Sequence, residues 1–183
     1  MERKDLPLTQ AAVTDRGEFE GMASTHHLDL QGDVVAPGAF SSSLPRFLER
    51  GFISWGHDAT GAPIGYPLEA REVPQGLYLR AGFHGTAAGQ TARQVTAERL
   101  AAGKAQALSI GYSVPEGGWR RRRDGVRELL KVELLEVSLV TAPANPYAFV
   151  TGAKAQSSAD PERLALELER LKFQTFTFLR HNE

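Results

Sequence analysis

Residues 107–114, ALSIGYSV, and residues 129–141, LLKVELLEVSLVT, decide how this chain folds. In the first, Leu108, Ile110, Tyr112 and Val114 share one face of a strand, and Ser109, Gly111 and Ser113 share the other. The first face belongs in a core. The second is almost bare, as expected where another chain or side chain must approach the backbone. In the second segment Leu135, Val137 and Leu139 are expected to face one way, with Glu136 and Ser138 facing the other. Gly117, Gly118, the run Arg120 to Arg123 and Asp124-Gly125 lie between the segments and read as a hairpin tip. Antiparallel pairing puts Ser109 and Glu136 on one face for any register in which paired residue numbers sum to an odd value. A strict hairpin centred on Asp124-Gly125 meets that condition and pairs Ser109 with Val140. Pro143 and Pro146 end the second strand.

Working outward, residues 17–22 read as short and extended, and residues 29–40, DLQGDVVAPGAF, as a loop rich in Gly, Pro and Asp. A short helix follows, with Ser42 or Ser43 as cap, Pro45 in the first turn and Gly51 at its end. Residues 52–57 read as a strand with Ile53, Trp55 and His57 on one face. Residues 61–63 form a turn, and residues 66–72 and 76–83 form two further strands. Residues 86–102 are rich in Ala, Gln, Arg and Glu, lack proline and stop at Gly103, which predicts a helix.

Beyond Thr151 the composition changes. Residues 152–159 read as a linker, and Asp160-Pro161 opens a helix with Leu164, Leu168 and Leu171 as its apolar stripe. The expected organisation is one domain over residues 1–151, followed by a linker and helical tail over residues 152–183. That tail is compatible with packing on the domain, pairing with another copy, or removal. The expected fold is mainly β with packed helices (α+β), an antiparallel sheet or barrel with helices outside it.

The 183 residues suffice for one domain with a real core, and 42% hydrophobic with 23% charged residues is ordinary for a globular protein. A net charge of -1 offers no global attraction to nucleic acid or anionic membrane. With no cysteine, disulfides, a thiol nucleophile and thiolate zinc sites are excluded. Residues 1–10 lack the apolar stretch of a secretory signal, and no run approaches a membrane span. A soluble intracellular protein is expected.

A serine hydroxyl is a nucleophile only when a base takes its proton. Ser109 is the candidate nucleophile, against the plainer reading of a strand serine facing water. His57, expected at a strand end, is the candidate base because imidazole can take and return a proton near neutrality. Glu136 is a candidate to hold that imidazole in the right tautomer. Asp58 and Asp33 are acidic alternatives. His26, His27 and Asp29, with His57 and Asp58, form a rival metal constellation, but adjacent histidines on an extended chain point in opposite directions. Arg120 to Arg123 could bind phosphate, yet a charge run at a hairpin tip is usually solvated.

The chain resembles the prohead proteases of tailed bacteriophages and related prophages or gene-transfer particles. The resemblance runs from about Gly21 to Val150. It rests on Asp29-x-x-Gly32-Asp33 leading into Pro37-Gly38-Ala39-Phe40, then His57-Asp58 followed by Pro63-Ile64-Gly65, then Gly76-Leu77. Leu108-Ser109-Ile110-Gly111-Tyr112 follows, and then Glu136-Val137-Ser138-Leu139-Val140-Thr141, ending in Pro143-Ala144-Asn145-Pro146. Each motif is weak alone; all of them in order are specific.

The resemblance implies a fold similar to the herpesvirus assembly protease, a β-barrel wrapped by helices. It implies Ser109 as nucleophile, His57 as catalytic histidine and Glu136 at the acidic position where the herpesvirus enzymes place a second histidine. It further implies a serine endopeptidase without metal or cofactor, working inside the assembling prohead in the bacterial cytoplasm. Its substrates would be the scaffold segment of the major capsid protein and the protease itself, and activity could depend on a homodimer. An inactive structural relative that guides assembly, and a metal-dependent hydrolase, are the rival functions.

Overall fold

Residues 17–152 are described by the structure, a computed structural model. The elements are β1 (Glu18–Thr25), β2 (Asp33–Val35), α1 (Leu44–Arg50), β3 (Phe52–Trp55), β4 (Gly65–Val73), β5 (Gly76–Phe83), α2 (Ala87–Ala101), β6 (Ala107–Ser113), β7 (Trp119–Arg121), β8 (Arg127–Leu129), β9 (Glu133–Val140) and β10 (Val150–Gly152). The linker and tail helix expected beyond this span lie outside the described residues.

Seven strands form one sheet in the order β10-β1-β5-β4-β3-β9-β6, and a smaller sheet has the order β2-β8-β7. The large sheet curls into a half-barrel. Its two flanks meet through residues 148–150. Leu108 N–H donates to Ala148 C=O, Val150 N–H donates to Gln106 C=O, and Val150 pairs with Gly21 of β1. Pairing is antiparallel except for β3 with β9 and β2 with β8, which run parallel. The mainly β architecture with helices outside the sheet is the one expected.

The core fills the curl. Phe19, Phe40, Phe47, Ile53, Leu77, Leu79, Leu108, Val137 and Leu139 are at most 1% exposed. Helix α2 sits on β5, and Thr86 caps it by accepting from Gly89 N–H. Helix α1 sits on β4 and β9, with Phe47 as its one buried residue. Phe47→Ala is therefore expected to cost about 3–5 kcal/mol, read as a lowered denaturation midpoint, because one ring anchors the whole helix.

Several sequence expectations need correction. The stretch 29–40 is not all loop, since Asp33–Val35 adds a short strand beside β8. Ser43 begins α1 but does not cap it through its side chain; its hydroxyl donates to Phe40 C=O instead. The arginine run is not simply a tip, because Arg120 and Arg121 lie in β7 and only the following turn is the tip.

The long strand 129–141 is two strands, β8 and β9. Leu129 and Val132 are both fully buried, and residues three apart cannot share one face of a continuous strand. The chain breaks between them, and Val132 N–H turns to donate to Ala39 C=O. The same parity conflict recurs at Leu134 and Val137, both in the core. A β-bulge resolves it: Gly111 pairs with Glu136 and Tyr112 with Leu134, so Leu135 is skipped and stands 51% exposed. Leu135 thus leaves the face it was assigned.

Candidate active site

The bulge lies beside the residues that matter. Ser109 pairs with Ser138, not Val140, and Ser138 pairs in parallel with Ser54 of β3. The sum 109 + 138 is odd, as required, but the register differs by two residues from a strict hairpin. Three small hydroxyl residues therefore stand in a row across β6, β9 and β3. The pair Gly111 and Glu136 lies one step along the same face.

His57 is not on β3. Gly56 and His57 both take positive φ, 64° and 62°, so the chain leaves the strand and folds back. Such a backbone is uncommon for a residue with a Cβ and costs on the order of 1 kcal/mol. Asp58 N–H closes the turn on Trp55 C=O, and three further contacts hold it. Gly56 N–H donates to Leu139 C=O, Ser54 Oγ donates to Asp58 C=O at 3.0 Å, and His57 N–H donates to Ser138 Oγ at 3.0 Å. Ile53, Trp55 and His57 therefore do not share a face.

This turn hangs the imidazole over the serine row. His57 Nε2 lies 2.9 Å from Ser109 Oγ, and Nδ1 lies 2.6 Å from Glu136 Oε1. The other carboxylate oxygen, Oε2, accepts from Ser138 Oγ at 2.7 Å. The Glu136 side chain is 9% exposed and that of His57 is 43% exposed, so the acid is shielded while the imidazole meets solvent. All three residues singled out for acyl-transfer chemistry come together.

The bare face of β6 now has its reason. A Cβ on Gly111 would fall onto the Glu136 carboxylate, so glycine leaves the space that the acid occupies. In Gly111→Ala the carboxylate must move off the imidazole. Ser109 is expected to react with a fluorophosphonate about 100-fold more slowly in that variant, because a displacement of about 1 Å is enough for such a loss. Wild-type labelling rates would show that the approach is not tight.

The acidic alternatives are occupied elsewhere. Asp58 Oδ1 accepts from Thr60 Oγ1, Thr60 N–H and Gly61 N–H, and these bonds hold its carboxyl below the usual range. Asp33 is buried and accepts from Tyr112 Oη at 3.3 Å and Arg127 at 3.1 Å. Burial foremost, with the charges of Asp33 and Asp29, pushes the Tyr112 hydroxyl up to about 12, so it remains a donor at neutral pH.

The metal constellation does not assemble. His26 Nδ1 is 2.7 Å from Val35 C=O and His27 Nδ1 is 3.1 Å from Thr25 Oγ1. Asp29 accepts from the backbone of Gln31 and Asp33. Among the described residues no three His, Asp or Glu side chains are grouped to hold an ion. In the arginine run, Arg120 pairs with Glu128, Arg122 with Asp124, and Arg121 bonds Gly125 C=O.

Ser138 and Ser54 went unassigned by sequence reasoning. Ser138 was visible on the same face as Glu136, two residues on, and that spacing was the available signal. Ser54 carried none, because the parallel β3–β9 register is not legible from the chain. Beside His57 and Ser109 opens a cavity of about 90 Å³, walled by Thr25, Asp29, Asp33, Tyr112, Ala144 and Asn145. The N–H of Leu108 points to the open side of β6, toward Ala148, so by alternation Ile110 turns its backbone groups to that side as well.

Comparison with known proteins bears on the family and the fold. The prohead protease of Enterobacteria phage HK97 is 30% identical over 146 residues, which cover 76% of this chain and 61% of that protein. The chain thus spans less than two thirds of that relative's length. A crystal structure of the KSHV protease, in complex with a hexapeptide phosphonate inhibitor, matches with a TM-score of 0.54. The match covers 85% of this chain and 75% of the other at 14% identity, and shows a common fold. The family model described as caudovirus prohead serine protease matches residues 10–162, which include every strand and side chain of the site. The chain belongs to the caudovirus prohead serine protease family.

Proposed function

We propose that this chain is a serine endopeptidase that matures a phage, prophage or gene-transfer-particle prohead by acyl transfer through Ser109. The observation that carries the reading is the unbroken contact chain from Ser109 Oγ through His57 to Glu136. The Glu136 carboxylate accepts a hydrogen bond from Nδ1–H, leaving the Nε2 lone pair for the Ser109 hydroxyl. Ser109 Oγ attacks a peptide carbonyl while its proton passes to Nε2. The C–N bond then breaks, the amine leaves with that proton, and water repeats the cycle on the ester.

The carbonyl oxygen becomes an oxyanion and needs fixed donors. Ala144 and Asn145 line the same cavity as Ser109, which supports the turn over residues 142–146 as their source. The backbone around Gly111 is the alternative source. The substrate we propose is the scaffold segment of the major capsid protein, cleaved inside the prohead in the host cytoplasm. Self-cleavage and a homodimer belong to the same proposal, and no cofactor enters any step.

The test is coexpression with the cognate capsid protein, followed by intact mass, for wild type, Ser109→Ala and His57→Ala. Trimming by wild type alone supports the reading. Trimming that survives Ser109→Ala removes the nucleophile. No trimming by wild type under assembly conditions favours an inactive assembly protein.

A further inference from the structure

The mechanism above leaves unused a buried hydroxyl that touches both the base and the acid. Ser138 is 0% exposed and lies beneath the base and the acid together. Its oxygen has two partners, His57 N–H at 3.0 Å and Glu136 Oε2 at 2.7 Å. A backbone N–H can only donate, so toward His57 the Ser138 oxygen must accept. Its one proton is then directed to the remaining partner, the Glu136 carboxylate.

The consequence runs through the site. With Oε2 held by Ser138, Oε1 is presented to Nδ1, which must carry a proton to be held at 2.6 Å by a carboxylate. In the neutral ring Nε2 is then the acceptor and takes the Ser109 hydroxyl proton's hydrogen bond. The direction of every proton in the chain follows from one backbone amide, and that amide belongs to the left-handed residue that bears the base. A shift of the His57 turn would be transmitted through Ser138 to the carboxylate, so backbone and acid are held in register.

We propose that Ser138 is a positioning residue: it ties the His57 backbone to the Glu136 carboxylate and thereby sets the imidazole tautomer. This rests on the acyl-transfer reading of Ser109. Ser138 pairs with Ser109 on one side and Ser54 on the other, so it stands at the centre of the serine row.

The experiment uses the full chain as wild type, Ser138→Ala, Ser138→Thr and Ser138→Cys. Thermal unfolding establishes that each is folded. The rate of Ser109 phosphonylation by a fluorophosphonate is followed by intact mass, and the low-field proton signal of His57 Nδ1–H by NMR. In Ser138→Ala the labelling rate is expected to fall about 10- to 100-fold, and the low-field signal to move upfield or vanish. Ser138→Thr, which keeps the hydroxyl, is expected to restore the signal and most of the rate. Ser138→Cys, a weak donor, is expected to fall between.

A folded Ser138→Ala with wild-type rate and unchanged signal overturns the proposal. If Ser138→Ala does not fold, the same result in Ser138→Cys overturns it. Wild type that shows the low-field signal but does not label refutes the acyl-transfer reading instead, and the NMR comparison still judges Ser138.

Discussion

Ser109→Ala is expected to lower capsid-protein cleavage by about 10⁴- to 10⁶-fold while the fold stays intact. The substitution removes a single oxygen whose hydrogen-bond partner is His57 Nε2. Ser109 is nearly buried on a strand that accepts alanine, and its neighbours Leu108 and Ser138 keep their places. Stability should change by no more than about 1 kcal/mol, the net worth of one hydrogen bond. What is lost is the atom that would form the acyl-enzyme. The residual rate would come only from substrate binding and oxyanion stabilisation, which act without a nucleophile. The check is cleavage of a purified capsid-protein fragment under single-turnover conditions, beside a denaturation curve. A folded variant that retains a tenth of the wild-type rate would mean that another group attacks the carbonyl.

Glu136→Gln is expected to lower the same rate by about 10³- to 10⁴-fold, with little effect on substrate affinity. Glutamine has the shape of glutamate, so it fills the space over Gly111 and avoids a cavity. Its amide cannot satisfy both neighbours. With oxygen toward His57, the NH₂ faces Ser138, whose oxygen already accepts from His57 N–H and whose proton then lacks its acceptor. With NH₂ toward His57, Nδ1 must accept, and the ring proton moves to Nε2, where it faces Ser109 and blocks base action. Either arrangement also removes the negative charge that stabilises imidazolium as it forms. Steady-state kinetics on a peptide substrate separate the cases: a fall in kcat at nearly constant KM is expected. Activity within tenfold of wild type would show that the carboxylate is dispensable.

The architecture was legible where local chemistry decided it. The strand at 76–83, the helix that Thr86 starts and Gly103 ends, and the two faces of ALSIGYSV all follow from side-chain alternation, capping and turn residues. Those effects act over a few residues and leave their mark in the chain. Ser109, His57 and Glu136 were legible as residue types suited to one chemistry and as matches to a family's motifs. The odd-sum rule stated which registers would put the nucleophile and the acid on one face, and the observed register is one of them.

Contacts between distant segments decided the rest. Alternation assigned Leu135 to the face of Val137 and Leu139, but Leu134 and Val137 both had core sites to fill, and a bulge satisfies them. The break after Leu129 has the same origin, an odd spacing between two buried anchors. His57 looked like the end of a strand, since nothing in its neighbours signals a left-handed turn apart from Gly56. Besides its own bond from Asp58 N–H to Trp55 C=O, that turn is held by Ser138, 81 residues away in the chain, which accepts its amide, and by Ser54, which holds Asp58. Residue type and alternation along the chain were enough to show which groups could carry the chemistry and which face of β6 would hold the nucleophile. The register, the bulge and the turn that bring those groups within 3 Å of one another arise from folding, because each is a compromise among partners that become neighbours through pairing across the sheet.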